Sequence, residues 1–262
     1  MTHCPVALTI AGSDCGGGAG IQADLKTFAA FGVHGASAIT CLTAQNPRRV
    51  LAVESAAAKT LRRQIEAVFQ ELPPAAVKTG MLLSAENVRV VAHGLKSQTR
   101  PPLVVDPVMV ATSGARLLAP AAVKVLQERL LPIASLVTPN LRETEVLTRG
   151  KITSVEKMRA AAREIHTRFG CAVLVKGGHL RGMREAVDVF YDGRTELLLT
   201  APFIPGVRTH GTGCTYSAAI TAALALGHDL PRAVGLAKNY ITRAIAGGYR
   251  VGKHFALNPL FR

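Results

Sequence analysis

The chain contains no tryptophan, and aromatic residues make up only 5% of it. Proteins that grip single-stranded nucleic acid stack bases on aromatic rings beside positive charge. The scarcity of rings therefore argues against nucleic acid as a partner, despite a net charge of +14. That surplus comes from 31 basic against 17 acidic residues, and Arg48-Arg49 and Arg62-Arg63 are its tightest pairs. Charge spread this thinly reads as a basic, solvated surface, compatible with phosphorylated small molecules. No apolar run approaches the ~20 residues of a membrane span. The opening MTHCPVALTIAG lacks a basic n-region, so we expect no secretory leader. Cysteine is also sparse: Cys4, Cys15, Cys41, Cys171 and Cys214 are odd in number, scattered and without a CxxC pair. This argues against a disulfide framework and a zinc site, and for a reducing cytoplasm. No linker, repeat or low-complexity stretch interrupts the 262 residues, and a single domain over 1–262 is expected.

Strand and helix signals alternate through most of the chain. VALTIAG (6–12), ASAITCLTAQ (36–45), AAVKTG (75–80), LVVDPVM (103–109), SLVTPN (135–140) and CAVLVKGG (171–178) are aliphatic runs ended by Gly, Pro or Asp. Such runs suit parallel strands covered on both faces. Between them, GIQADLKTFAAFG, KTLRRQIEAVFQEL, SAENVRVVAHGL, APAAVKVLQERLL and SVEKMRAAAREIHTRFG have helical spacing. AVDVFYDG and RTELLLT predict a hairpin around Asp192-Gly193, and two more helices are expected from about Gly211 and about Pro231. The pattern predicts an α/β fold: a doubly wound, mostly parallel sheet with helices on both faces.

In such sheets ligands collect at the carboxyl ends of the strands, where the unusual residues cluster. AGSDCGGGAG (11–20) holds five glycines between a strand and a helix; it reads either as a flexible turn or as a loop that approaches a ligand closely. It is not a Walker A loop, because no Gly-Lys-Ser/Thr follows. Asp106 ends an apolar strand, as a helix cap or as a metal ligand. Glu143 follows Asn140 by three residues, the spacing of a capping box; it too reads as a cap or as a ligand. A magnesium ion keeps several waters and takes only one or two carboxylates plus phosphate oxygens. Gly211, Thr212 and Gly213 open a helix whose unpaired amides and dipole favour an anion. The alternative is an ordinary helix start capped by Thr209 or Thr212. Cys214, in the first turn, is either a small buried hydrophobe or a thiol with a depressed pKa.

Taken together, ALTIAGSDCGGGAGIQADLKTFAAFG, ITCLTAQN, VKTGML, VVDPVMVATSG, LVTPNLRETEVL, VLVKGGHL, VDVFYDG and THGTGCTYSAAI resemble the hydroxymethylpyrimidine/phosphomethylpyrimidine kinases of thiamine biosynthesis, within the ribokinase-like superfamily. The resemblance spans nearly the whole chain. Cys15-Gly16 stands where such proteins commonly have Ser-Ser, and the C-terminal VGKHFALNPLFR is less typical.

The resemblance implies two ATP-dependent steps, on 4-amino-5-hydroxymethyl-2-methylpyrimidine and then on its monophosphate. It implies Cys214 as the base near the alcohol, Gly211, Thr212 and Gly213 as the anion hole, and Mg²⁺ near Asp106 and Glu143. Asp24 and Gln45 would meet the pyrimidine's polar edge, with Gly12, Met81 and Val108 along its apolar part. Lys176, Asn140 and Lys238 would lie near the nucleotide. It further implies a cytoplasmic homodimer that uses neither nucleic acid nor membrane. Two other readings stay open: a pyridoxal kinase of the same superfamily, for which Gln45 is the discriminating residue, and a non-catalytic pyrimidine-binding regulator.

Overall fold

A computed structural model describes residues 4–96, 101–110, 117–180, 182–204 and 210–261. The aliphatic runs pair side by side. β1 (Val6–Asp14) lies parallel to both β2 (His34–Asn46) and β4 (Ala76–Thr79). β5 (Leu103–Val105), β6 (Leu136–Val137) and β7 (Ala172–Lys176) continue the parallel set. β8 (Glu185–Tyr191) and β9 (Glu196–Pro202) form the expected hairpin, antiparallel to β7 and to each other. Its turn closes because the Asp192 carboxylate accepts the N–H groups of Arg194 and Thr195, with Gly193 at φ +94°. With β3 (Arg49–Ser55) at one edge, the sheet order among the described residues is β3-β2-β1-β4-β5-β6-β7-β8-β9.

Alternate residues of these strands feed two apolar layers. Leu8, Ile10, Val77, Val105 and Val175 pack against α2 (Ala58–Glu71), α3 (Ala85–Lys96) and α6 (Val155–Phe169). Ala7, Ala76, Val104, Leu136, Leu174 and Phe190 pack against α1 (Gly20–Ala30), α7 (Thr212–Ala225) and α8 (Leu230–Ala246). Every residue of α7 from Thr215 to Ala225 is buried. A helix apolar all round belongs in an interior, and its many alanines let it lie close to the sheet beneath its neighbours α1 and α8.

Four details differ from the sequence expectation. β3 (Arg49–Ser55) was not anticipated; it pairs antiparallel with the outer half of β2, and all seven of its residues are exposed. It lies beyond the core, so no burial pattern marks it. The strand expected over 103–109 stops at Val105, because Pro107 cannot donate to a ladder and Val108 turns to φ +44°. The helix expected over 119–131 is α4 (Pro120–Val125), then a π turn (Leu126–Leu130) and a 3₁₀ turn around Pro132. A final hairpin, β10 (Tyr249–Val251) and β11 (His254–Ala256), was likewise not foreseen. α5 (Leu141–Thr148) starts where the Asn140/Glu143 spacing placed a helix start.

Candidate active site

The pleat sorts the polar residues before any side chain is considered. Lys78 shares a strand face with Ala76, Asp106 with Val104, Thr138 with Leu136, Lys176 with Leu174, and Asp188 with Phe190. Those apolar partners all belong to the layer under α7. The carboxyl ends of β4 to β7, and β8 beside them, therefore present a row of polar and charged groups to the start of α7. Hydrogen bonds hold most of these groups in pairs. Lys78 Nζ lies 3.0 Å from Asp24 Oδ2 of α1. Lys176 Nζ lies 3.0 Å from Asp106 Oδ1, and Ser217 Oγ of α7 donates to Asp106 Oδ2 at 3.2 Å. Lys238 of α8 closes the row on Asp188 Oδ2 at 2.7 Å.

α7 begins beside this row. Its N-cap is Gly211, at φ +86° and without a side-chain cap, so Thr212 does not take that part; Thr209 lies outside the described residues. A methyl group at Gly211 would come within 1.7 Å of the Gly18 carbonyl, and one at Gly213 would stand 3.4 Å from Lys176 Nζ and 3.8 Å from Asp106 Oδ2. The helix start is thus wedged between the glycine-rich loop and an ammonium group. Its first amides have no partner within the helix, and an anion suits them.

Cys214 sits in that first turn, half-buried. The depressed thiol pKa anticipated from its place on the helix is overturned. Burial pushes it up to about 11; the Lys78 ammonium and the Gly20 N–H pull it down, while Asp24 and Asp106 oppose them. A helix terminus offers only a partial charge, whereas desolvation of a thiolate acts at full strength. Lys78, which sequence reasoning passed over, is fully buried. Burial would lower its pKa, but attraction to Asp24, Cys214 and Asp106 raises it to about 12, so it stays an ammonium ion. Asp24 is fully buried as well, one carboxylate oxygen held by Lys78 and by Thr9 Oγ1 at 2.6 Å. It lies on the sheet side of α1, against Lys78, and has no open face.

Asn140 and Glu143 form the complete capping box of α5. Glu143 Oε2 accepts the Asn140 N–H and its Oε1 accepts the Met109 N–H, each at 2.9 Å. Asn140 Nδ2 donates to the Val110 carbonyl at 3.1 Å. These bonds hold the segment after Asp106, where Val108 occupies the left-handed region that a β-branched residue rarely enters. Burial, opposed by Lys176 and reinforced by Asp106, pushes the Glu143 carboxyl up to about 7. Among the described residues no three or more His, Cys, Asp or Glu side chains gather as a metal cage. Two carboxylates with spare lone pairs instead fit an ion held mostly by water and phosphate oxygens.

The glycine-rich loop is organised by Asp14, also missed in the sequence. Its carboxylate accepts the N–H groups of Gly16, Gly18 and Ala19 at 2.8–3.1 Å. Although burial works the other way, His210, Gln45 and the amides of Gly16 and Ala19 hold it well below the usual carboxylate range. His210 Nε2 lies 3.5 Å from both Asp14 Oδ2 and Gln45 Nε2. Gln45, half-buried at the outer end of β2, therefore faces the loop rather than solvent alone. Gly12 lies where a methyl group would meet Cys41 Sγ at 2.7 Å and Met81 Cε at 3.3 Å. The structure thus brings together Cys214, Gly211, Gly213, Asp106, Lys176 and Glu143, and separately Gly12 with Met81. Thr212 opens the same helix. Lys238 is committed elsewhere: it donates to Asp188 and to the Ala186 carbonyl, and Asp188 in turn accepts the Gly177 N–H. Its charge steadies the turn after Lys176. The sequence signal for Lys78 was a lysine inside a four-residue apolar strand; for Asp14, an acid two and four residues ahead of glycine amides.

The family model described as phosphomethylpyrimidine kinase matches residues 14–258. A hydroxymethylpyrimidine/phosphomethylpyrimidine kinase of Rhizobium meliloti is 53% identical over 247 residues, covering 94% of this chain and 92% of that one. A crystal structure of a phosphomethylpyrimidine kinase from Clostridium difficile superposes with TM-score 0.83 at 46% identity, over 92% and 99% of the two chains. The ADP complex of Bacillus subtilis pyridoxal kinase superposes with TM-score 0.91 at 38% identity, over 97% of each chain.

Proposed function

The chain belongs to the phosphomethylpyrimidine kinase family, and from that premise we propose how its site works. The protein is an ATP-dependent kinase of the thiamine pyrimidine. It phosphorylates 4-amino-5-hydroxymethyl-2-methylpyrimidine on the hydroxymethyl oxygen and then phosphorylates the monophosphate to the diphosphate. One observation supports this site above all: an uncapped helix start, a thiol in its first turn, and the Lys176–Asp106 pair against Gly213.

Phosphoryl transfer asks a protein mainly for positioning and for stabilisation of charge. The Gly211–Gly213 amides hold the transferring group, and the Lys176 ammonium balances its charge from the side. Asp106 and Glu143 would hold Mg²⁺, which supplies charge neutralisation on the phosphates. The acceptor oxygen bonds to the γ-phosphorus, the bond from that phosphorus to the ADP oxygen breaks, and the hydroxyl proton passes to the Cys214 sulfur. In the resting site the thiolate is the minor form, so this step is favoured by rising pH. The second step needs less of a base, since a phosphate oxygen is already ionised. Gln45 offers a donor and an acceptor to the aminopyrimidine edge, with Gly12, Met81 and Val108 along the apolar part. Asp24 supports this pocket from beneath, through Lys78. Asn140 shapes the nucleotide side by holding Val110. On the same family reading the enzyme is a cytoplasmic homodimer, which sedimentation of the pure protein tests.

A coupled ADP-release assay with the pyrimidine, with its monophosphate and with pyridoxal decides the function. Turnover with both pyrimidines is expected. Turnover with pyridoxal alone favours the pyridoxal-kinase reading, for which the likeness to the Bacillus subtilis enzyme speaks. Pyrimidine binding without ATP consumption favours a regulator.

A further inference from the structure

Gln45 lies where two ladders give out. β1 ends at Asp14, opposite Thr43, so β2 runs on past its parallel neighbour. On the other side the register with β3 slips: Ala44 faces Ala52 and Gln45 faces Val50, which leaves Leu51 with no residue opposite. A bulge of this kind bends a strand and re-aims its side chains. β3 is exposed along its whole length, so no packed layer fixes Gln45 from that side. Backbone N–H and C=O groups nonetheless need partners, and those of Gln45 meet one side chain. The Cys15 thiol donates to the Gln45 carbonyl, with Sγ 3.1 Å from the oxygen, and the same sulfur accepts the Gln45 N–H at 3.3 Å. A thiol has one proton to give and a sulfur to accept with. The Cys15 side chain thus stands in for the strand residue that β1 no longer supplies. Cys15 is itself fixed. The amides of Gly16, Gly18 and Ala19 are bound to the Asp14 carboxylate, and Lys26 Nζ holds the Gly17 carbonyl at 2.8 Å. Held by its main chain, Gln45 carries its amide to within 3.5 Å of His210 Nε2, and His210 directly precedes the N-cap of α7.

We propose that Cys15 is a positioning residue for substrate recognition: its side chain clamps both polar groups of the Gln45 main chain and so aims the Gln45 amide at the acceptor ring beside the start of α7. The inference rests on Gln45 as the residue that meets the pyrimidine edge. Cys15 touches neither the ring nor the phosphate in this scheme, and it acts only through Gln45. A hydroxyl donates and accepts as a thiol does, so serine at this position keeps the clamp, whereas alanine removes both bonds at once.

The test is a double-mutant cycle on the full-length enzyme, read as kcat/KM for the hydroxymethylpyrimidine and KM for ATP in the coupled ADP-release assay. Cys15→Ala is expected to lower kcat/KM for the pyrimidine by about fivefold or more, the order of losing two weak hydrogen bonds, with KM for ATP within about twofold. Cys15→Ser should return kcat/KM to within about twofold of the wild type. In Cys15→Ala/Gln45→Ala the loss should be no larger than in Gln45→Ala alone, because residues that act through one another do not add. A residue that merely supports the loop would lower kcat/KM by the same factor with or without the Gln45 side chain. Independent losses of that kind overturn the proposal, as does a Cys15→Ser enzyme no better than Cys15→Ala. Gln45→Ala separates the two ways of failing. Wild-type kcat/KM in that variant sinks the pyrimidine role of Gln45 and the clamp with it. A large loss there, with Cys15→Ala at the wild-type value, sinks only the role of Cys15. Thermal melts of the three single variants show that a folded enzyme is being compared throughout, and Cys15→Ser against the wild type still decides if Cys15→Ala does not fold: a loss of more than about twofold in Cys15→Ser overturns the clamp.

Discussion

Gly211→Ala is the most direct perturbation of the phosphate-holding loop. Gly211 sits at φ +86°, where a residue with a Cβ pays ~1–2 kcal/mol. The larger effect is steric: the new methyl group would lie 1.7 Å from the Gly18 carbonyl oxygen. Both partners are backbone, so no side chain can rotate away, and the two segments must part by more than an ångström. The glycine-rich loop resists, because the N–H groups of Gly16, Gly18 and Ala19 are tied to the Asp14 carboxylate. The start of α7 is therefore the part that moves, and its amides leave the transferring phosphoryl group. Stabilising donors act at about 2.7–3.1 Å, and a misplacement of ~1 Å costs about 10²-fold in rate. Gly170→Ala is the control. It too has a left-handed glycine, at φ +76°, but nothing lies within 4 Å of the added methyl group. It should lose stability by the strain alone and keep its kcat. The coupled ADP-release assay and thermal melts of both variants give the comparison. If Gly211→Ala turns over within threefold of Gly170→Ala, the amides at the start of α7 do not hold the transferring group.

Cys214→Ala should lower kcat for the first phosphorylation by ~10²–10⁴, with less effect on the second step and little on the KM for ATP; near-normal kcat would make the thiol a packing group. Because burial raises the Cys214 thiol to about 11, the wild-type kcat of the first step should climb with pH from 7 to 9 without a plateau, and a flat profile would remove the thiolate from the step. Gln45→Ala should raise the KM for the pyrimidine by ~1–3 kcal/mol, roughly 5- to 150-fold, and spare that for ATP; equal effects on both substrates would take Gln45 out of the pyrimidine pocket. Asp106→Asn and Glu143→Gln should each shift the Mg²⁺ titration of activity upward. For Glu143, whose two oxygens already hold backbone amides of Met109 and Asn140, a fall in melting temperature with an unchanged titration would leave only its capping role.

Much of this protein was legible along the chain. The aliphatic runs ended by Gly, Pro or Asp became the parallel strands, the Asp192-Gly193 dipeptide became the hairpin turn, and the Asn140/Glu143 spacing became a complete capping box. Each depends on residues within a few positions of one another, where spacing alone decides which groups meet. The ordered motifs also marked Cys214, Asp106, Lys176 and the 211–213 glycines, which converge at the start of α7. What the chain did not disclose is set by distance in sequence and by burial. Lys78 and Asp24 are 54 residues apart, and Asp188 and Lys238 are 50 apart, before the fold makes them pairs. His210 reaches Gln45 across 165 residues. β3 escaped because it lies outside both apolar layers and bears no burial pattern. The acidity of Cys214 was misjudged because a helix start can be read from sequence, but the loss of solvent around the sulfur cannot. Only the tertiary structure decides which charges lose their water, and desolvation outweighs the partial charge of the helix end.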